Sequence, residues 1–323
     1  MSGGKEIVFL DIVAPAIRKS LVDNVPPGFN LTFAEAATEE KAVATVAQAD
    51  FILVWAAQVP ARVVEAATRA KLIQKLGEGT DRIDLAAAAR RGVPVAKTSG
   101  GNSASVAELA TLLMLATLRR LPEAHNSVRA GQWLKWELRP GCRELRDKQV
   151  GIVGLGKIGK LVAEHMQGFR ASVVYYDYDA YRLPEAEEER LEVRFATLDD
   201  LLRTSDVVTL HVPLNASTRG LIGRQELALM KPTAILINTC RGAVVDEEAL
   251  YEVLQERRIR GAGIDAFTKE PPGPNHPFLS LDNVVLTPHF GGTEDSEIRC
   301  IRHGFANIVK VSQGQPLDPA DLV

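Results

Sequence analysis

Gln149-Val-Gly-Ile-Val-Gly-Leu-Gly-Lys-Ile-Gly159, continued through a helical stretch to Asp177, decides the fold. Gln149 to Val153 is a short apolar run with β-branched residues, the pattern of a buried parallel strand. Gly154, Gly156 and Gly159 then form a G-x-G-x-x-G around Lys157 and Ile158. Leu161, Val162 and Met166 follow at helical spacing, and Gly168 stands where a helix stops. Ala171 to Tyr176 is strand-like again and ends on Asp177, 18 residues after Gly159. Each glycine has a job. Gly154 permits the tight turn, Gly156 lets backbone approach a pyrophosphate, and Gly159 lets helix pack on strand. The helix N-terminus offers N–H groups and partial positive charge to phosphates. Asp177 is placed to accept hydrogen bonds from an adenosine ribose. Tyr178 follows it with no adjacent Arg for a 2′-phosphate, so NAD (NADH) is favoured over NADP, although Arg182 lies close by. A glycine turn alone is weak evidence. The strand before it, the helix after it and the acid at the second strand end together point to a dinucleotide site.

Working outward, 323 residues suggest two domains, and 46% apolar residues are enough to bury substantial cores. The net charge of −3 gives no general attraction to nucleic acid or anionic membrane. The longest apolar segment, Val106 to Leu118, is too short to span a bilayer and contains Glu108. The chain starts almost directly with a strand, so no signal peptide is expected. Cys142, Cys240 and Cys300 show no metal spacing, and no metal is expected. Sparse, odd-numbered cysteines suit a reducing cytoplasm.

Residues 1 to 100 alternate strand-like runs (Ile7 to Leu10, Phe51 to Trp55, Leu72 to Leu76, Val93 to Ala96) with Ala-rich helical pieces. This predicts a parallel sheet covered by helices. Ser103 to Leu118 reads as a strong helix leading into a second unit. Leu121 to Arg146 reads as irregular, a packing or subunit-contact segment holding Trp133 and Trp136. Beyond Asp177, strands are expected at Val207 to His211, Ala234 to Asn238, Gly263 to Phe267 and Val284 to Thr287. A helix begins at Asp246, its N-cap, and another follows Thr293. The fold class expected is α/β: two doubly wound parallel-sheet domains, a Rossmann NAD domain over 102–289 and a flavodoxin-like substrate (lid) domain over 1–101 plus 290–323.

Polar residues recur where the second-half strands end: Asp177, His211, Arg241, Asp265, Glu270 and His289. Strand C-termini of a doubly wound sheet share one edge, the crevice where ligands bind. Arg241, Glu270 and His289 therefore converge despite gaps of 29 and 19 residues. An Arg, a carboxylate and a His suit carbonyl reduction. The Arg fork clamps a substrate carboxylate and polarises the carbonyl. The His delivers a proton, and the Glu orients it and favours its charged form.

These segments resemble the D-2-hydroxyacid dehydrogenase family, which includes phosphoglycerate dehydrogenase and glyoxylate/hydroxypyruvate reductase. The matching stretches are Gly79-Thr-Asp-Arg-Ile-Asp84, Asn102-Ser-Ala-Ser-Val-Ala-Glu108, Gly151 to Gly159, and His211-Val-Pro-Leu214 with Thr218. They continue with Asn238 to Asp246, Gly263-Ile-Asp-Ala-Phe267 with Glu270-Pro271, and Thr287-Pro-His-Phe-Gly-Gly292. The resemblance implies that Arg241, Glu270 and His289 are the catalytic trio and that Asp265 lies near the nicotinamide. It implies cofactor contacts from His211, Val212, Pro213, Thr218, Thr239, Cys240, Arg241, His289 and Gly291. Backbone at Glu78 and Gly79, with Trp55, Arg241 and His289, would meet the substrate. The family fold also implies a homodimer through the NAD domain.

Two departures matter. Trp55 stands where phosphoglycerate dehydrogenases tend to carry an Arg, and an indole cannot neutralise a phosphate. Phosphoglycerate is thereby demoted, with Lys135 as a possible compensating cation. Glu78 stands where a small or neutral residue is usual, and its side chain is expected to point away from a substrate carboxylate. The acid beside His289 argues against a formate dehydrogenase. The expected activity is hydride transfer between NAD(H) and a small 2-oxo acid or D-2-hydroxy acid such as glyoxylate or hydroxypyruvate. D-3-phosphoglycerate oxidation, phosphite-type oxidation and an NAD-responsive, corepressor-like binding role are the alternatives. The chain ends at Val323, soon after the returning helix, which is expected to leave no room for a regulatory domain or partner-binding tail.

Overall fold

The computed structural model describes residues 4–36 and 38–323. The chain forms two compact units: one runs up to Asn102 and resumes with Thr293–Val323, the other spans Ser103–Gly292.

The first unit runs β1 (Lys5–Phe9), α1 (Pro15–Asp23), β2 (Phe29–Phe33), α2 (Glu39–Val46), β3 (Phe51–Val54), α3 (Ala61–Ala66), β4 (Ile73–Lys75), α4 (Leu85–Arg91) and β5 (Val95–Lys97). The five strands are parallel in the order β2-β1-β3-β4-β5, the flavodoxin-like arrangement. Every residue of β3 is buried, because a central strand with helices on both faces has no wet side. Period-two alternation sorts the core. Ile7, Phe9, Phe51 and Leu53 face one cluster, and Val8, Leu10, Ile52 and Val54 face the other. Asp84 caps α4 through the Ala87 N–H, and Gly92 ends it with φ +64°.

The second unit runs α5 (Ser103–Leu118), α6 (Leu121–Arg129), α7 (Lys135–Leu138), β6 (Gln149–Val153), α8 (Lys157–Gly168), β7 (Ser172–Tyr176), α9 (Glu185–Leu191), β8 (Val193–Phe195), α10 (Leu198–Thr204), β9 (Val207–Leu210), α11 (Arg224–Leu229), β10 (Ile235–Asn238), α12 (Glu247–Gln255), β11 (Gly261–Ile264) and β12 (Val284–Leu286). Then α13 (Glu294–Ser312) rejoins the first unit. There Ile301, Phe305 and Ile308 pack with Phe9, Phe51 and Leu76. A Cβ on Gly304 would lie 2.6 Å from Leu76 Cδ2, so glycine lets α13 close on that sheet.

The seven strands of the second unit are parallel in the order β12-β11-β10-β9-β6-β7-β8. The order reverses between β6 and β9, the topological switch point of a Rossmann sheet. Pairing aligns Tyr176 with Val153, Val153 with Leu210, Leu210 with Asn238, Asn238 with Ile264 and Ile264 with Leu286. The next residue on each strand therefore opens onto one edge: Asp177, Gly154, His211, Thr239, Asp265 and Thr287.

Two sequence expectations need correction. Leu121 to Arg146 is not irregular, since α6 and α7 lie within it. Pro122 near the start of α6 fits the helical first turn. Trp133 and Trp136 do not pack inside the chain either; they are 77% and 65% exposed.

Candidate active site

The glycine turn is built for close approach. Gly154 has φ +92°, and a Cβ there would meet the His211 carbonyl oxygen and Val212 Cγ1 at 2.8 Å. A Cβ on Gly159 would lie 2.3 Å from the Gly154 carbonyl oxygen, so α8 packs where only glycine fits. Gly156, by contrast, has open space around its missing Cβ. No side chain caps α8 at Gly156, which leaves its first N–H groups for an anion. Lys157 is exposed and Ile158 half-buried beside the turn. Asp177 Oδ2 accepts from the Leu155 N–H at 2.9 Å, and Oδ1 accepts from Tyr178 N–H at 2.9 Å. The acid is thus fixed directly over the turn. An open glycine, an uncapped helix and a fixed acid fit a dinucleotide.

His211 follows β9. Burial pushes its imidazole down to about 3, so the ring is neutral at neutral pH. Its Nε2 lies 2.9 Å from Thr209 Oγ1. Val212 is buried and Pro213 exposed. Thr218 is buried, and its hydroxyl donates to the Pro213 carbonyl and accepts from Asn215 N–H at 2.9 Å. It holds the loop after β9 in shape rather than presenting its hydroxyl outward.

The loops after β10, β11 and β12 carry Arg241, Asp265, Glu270 and His289. His289 Nδ1 lies 2.8 Å from Glu270 Oε1, and His289 is 44% exposed at its side chain. Glu270 Oε1 also accepts from the Phe267 N–H at 3.2 Å. His289 sits in left-handed backbone, φ 55°, which costs a non-glycine residue about 1 kcal/mol or more. Its N–H donates to the Asp265 carbonyl at 2.8 Å, which holds that conformation. Asp265 is 1% exposed. Its Oδ1 accepts from Thr287 Oγ1 at 2.6 Å and Phe290 N–H at 2.7 Å. Burial pushes this carboxyl above its ordinary value, while those two donors and the nearby His289 oppose the shift. Gly291 is buried, and a Cβ there would come 3.7 Å from Asp265 Oδ2.

Arg241 is half-buried, and its Nη1 donates to the Cys240 carbonyl at 2.8 Å. Burial pushes the Cys240 thiol up to about 11, so it stays protonated. Asn238 organises this loop, a role the sequence reading missed. Its Nδ2 donates to the Arg241 carbonyl at 3.0 Å and its Oδ1 accepts from Cys240 N–H at 3.1 Å. An Asn two residues ahead of a turn is the signal that would have found it. Thr239 is buried.

In the first unit, Glu78 turns its carboxylate to Lys97, at 3.1 Å, and to the Gly100 N–H. Its charge is thus paired within the first unit. Trp55 packs against the core cluster of this unit. Asp11, also missed, holds the loop beside it by accepting from Trp55 N–H at 2.5 Å and Ala57 N–H at 2.7 Å. Among the described residues no group of His, Cys, Asp or Glu is arranged to hold a metal ion.

Residues 111–291 match the model of the D-isomer specific 2-hydroxyacid dehydrogenase, NAD binding domain. The chain is similar to D-3-phosphoglycerate dehydrogenase of Archaeoglobus fulgidus, 36% identical over 95% of this chain and 58% of that protein. It is also similar to glyoxylate reductase of Aeropyrum pernix, 41% identical over 80% of this chain and 77% of that protein. The chain thus spans little more than half the length of the first and about three quarters of the second. Among solved structures, a glyoxylate reductase from Paecilomyes thermophila superposes with a TM-score of 0.85 at 27% identity, covering 100% of this chain and 99% of that one. With the glycine turn, the row of strand ends and these matches together, the chain belongs to the D-isomer-specific 2-hydroxyacid dehydrogenases, and its second unit is their NAD-binding domain.

Proposed function

We propose that this protein is an NAD(H)-dependent reductase of a small 2-oxo acid with an uncharged tail, such as glyoxylate or hydroxypyruvate, giving the D-2-hydroxy acid. The observation that carries this is the His289–Glu270 pair, 2.8 Å apart, beside the buried Asp265 on the edge where the glycine turn opens. Bound NADH supplies the hydride. Arg241 holds the substrate carboxylate and polarises the carbonyl with its planar fork. His289 gives its proton to the developing alkoxide, and Glu270, 2.8 Å from its Nδ1, keeps the ring oriented. The indole at position 55 has no charge for a phosphate, which favours the uncharged-tail acids over phosphohydroxypyruvate. Asp177 favours NADH over NADPH. The working form is a homodimer in the cytoplasm, supported by the exposed apolar residues of the second unit and by three free cysteines.

The test is NADH oxidation against glyoxylate, hydroxypyruvate, pyruvate, phenylpyruvate and phosphohydroxypyruvate, with NADPH in parallel. Strong turnover of an uncharged-tail acid is expected. His289→Gln should lower kcat by roughly 10²–10⁴-fold, the usual worth of a positioned acid, with NADH binding kept. Preference for phosphohydroxypyruvate would remove the Trp55 argument. Retained turnover in His289→Gln would remove that residue from its role.

A further inference from the structure

A second carboxylate–imidazole pair stands behind the first. Glu247 opens α12, where an acid ordinarily serves the helix dipole. This one is turned onto a loop instead. Its side chain is only 22% exposed; Oε1 accepts from the Thr268 N–H at 2.7 Å, and Oε2 lies 3.6 Å from His276 Nε2. The imidazole is fixed from its other side. His276 Nδ1 accepts from the Phe278 N–H at 3.4 Å, which puts the proton of the neutral ring on Nε2, the nitrogen that faces Glu247. The rings of Phe267 and Phe278, both buried, meet the imidazole edge-on at 5.3 and 4.9 Å.

One carboxylate therefore holds both ends of the loop 268–276, and Glu270 lies inside that loop. Pro271, Pro272 and Pro274 have no N–H to give. Thr268, Lys269 and Pro271 are exposed, so the loop has little buried surface of its own to fix it. The anchor sits next to the bond that matters. Phe267, whose N–H donates to Glu270 Oε1 at 3.2 Å, directly precedes Thr268. The same Glu270 oxygen lies 2.8 Å from His289 Nδ1. The line of contacts runs from Glu247 through Thr268, Phe267 and Glu270 to His289, all within the second unit.

We infer that Glu247 and His276 are positioning residues for the reaction: they set the loop that carries Glu270, and through it the orientation of the His289 ring. The inference rests on the reading of His289 and Glu270 as the proton-transfer pair. Neither Glu247 nor His276 acts on the substrate itself.

The experiment is a double-mutant cycle on kcat, with NADH and the 2-oxo acid turned over best, and with single-turnover rates at high enzyme concentration for the slow variants. Glu247→Ala should lower kcat about 10- to 100-fold, the cost of a misplacement of about 1 Å, with NADH affinity, read by its fluorescence, within about twofold of wild type. Glu247→Gln keeps an oxygen for the Thr268 N–H and should recover most of that loss. His276→Asn keeps an acceptor for the Phe278 N–H but loses the reach to Glu247. It should lower kcat about fivefold, as for one lost polar contact, and it carries the test should Glu247→Ala misfold. In a Glu270→Ala background, Glu247→Ala should have no further effect on kcat, because a clamp that acts through Glu270 has nothing left to hold. Full kcat in Glu247→Ala, with Glu270→Ala slowed, would overturn the inference and leave the His289–Glu270 reading intact. An equal loss from Glu247→Ala in both backgrounds, the mark of a purely structural role, would overturn it too. Full turnover in Glu270→Ala would remove the reading of the pair itself, and this inference with it.

Discussion

Two histidines on the same sheet edge sit in opposite surroundings. His289 is paired with Glu270 and open to solvent on one side. The His211 ring is desolvated and bonded, among the described residues, only to Thr209, and its Nδ1 has no partner there. The linkage follows from His211 having a folded pKa of about 3 against about 6.5 unfolded. Between those values the unfolded chain binds a proton that the folded one refuses. Stability is therefore full above pH 6.5 and is lost as pH falls toward 3, by at most about 1.4 kcal/mol per pH unit. His211→Gln should flatten that slope, read as urea midpoints from pH 7 to 4 for both proteins. Parallel curves would show that the ring does not stay neutral in the folded state. The candidates Arg241, Glu270 and His289 could be singled out in the sequence because they follow strand ends, where topology collects them. Asn238, Asp11 and Thr287 were not. Their work is hydrogen bonding across loops, and no periodicity marks which N–H an Asn or Asp will meet.

At the scale of elements, the candidate site depends on loops locking onto one another. The loop after β10 presses on the loop after β11: a Cβ on Gly242 would stand 2.0 Å from the Phe267 carbonyl carbon and 2.1 Å from Thr268 N. The same Phe267 N–H donates to Glu270. Gly242→Ala should therefore push this backbone apart, destabilise the protein by roughly 1–3 kcal/mol and misplace Glu270. The expected result is a lower urea midpoint with kcat falling more than NADH affinity, since the glycine turn lies on β6. Unchanged kcat would show that the Phe267–Glu270 bond does not position the carboxylate. Strands β3, β9 and β10 were legible because burial on both faces makes them continuous apolar runs. β2, half-exposed at the sheet edge, and β8, three residues long, were not. An edge strand has a wet face and little length, so its pattern merges with that of a loop.

For the whole molecule, the α/β class follows from the alternation of apolar runs and helices, and the parallel sheets bear that out. What alternation cannot signal is which outer surfaces remain apolar once each core has closed. Leu112, Leu121, Val128, Trp133 and Trp136 are each more than half exposed, on or beside α5, α6 and α7. Lys135 and Arg139 lie over the Trp136 ring, within 5 Å of its centre. Single exposed apolar residues are ordinary, but five on consecutive elements make the kind of patch that a partner covers. Exposed tryptophans are the usual anchors of such contacts. If this face joins two copies, wild type should sediment at twice the 35.1 kDa chain mass. Trp133→Ser/Trp136→Ser should then weaken the dimer by about 30-fold or more, the worth of a 2 kcal/mol anchor, and shift sedimentation toward the monomer at micromolar concentration. NADH binding should survive, because the glycine turn lies elsewhere on the second unit. A double variant that stays dimeric would move the contact to another face, and a monomeric wild type would remove the dimer altogether.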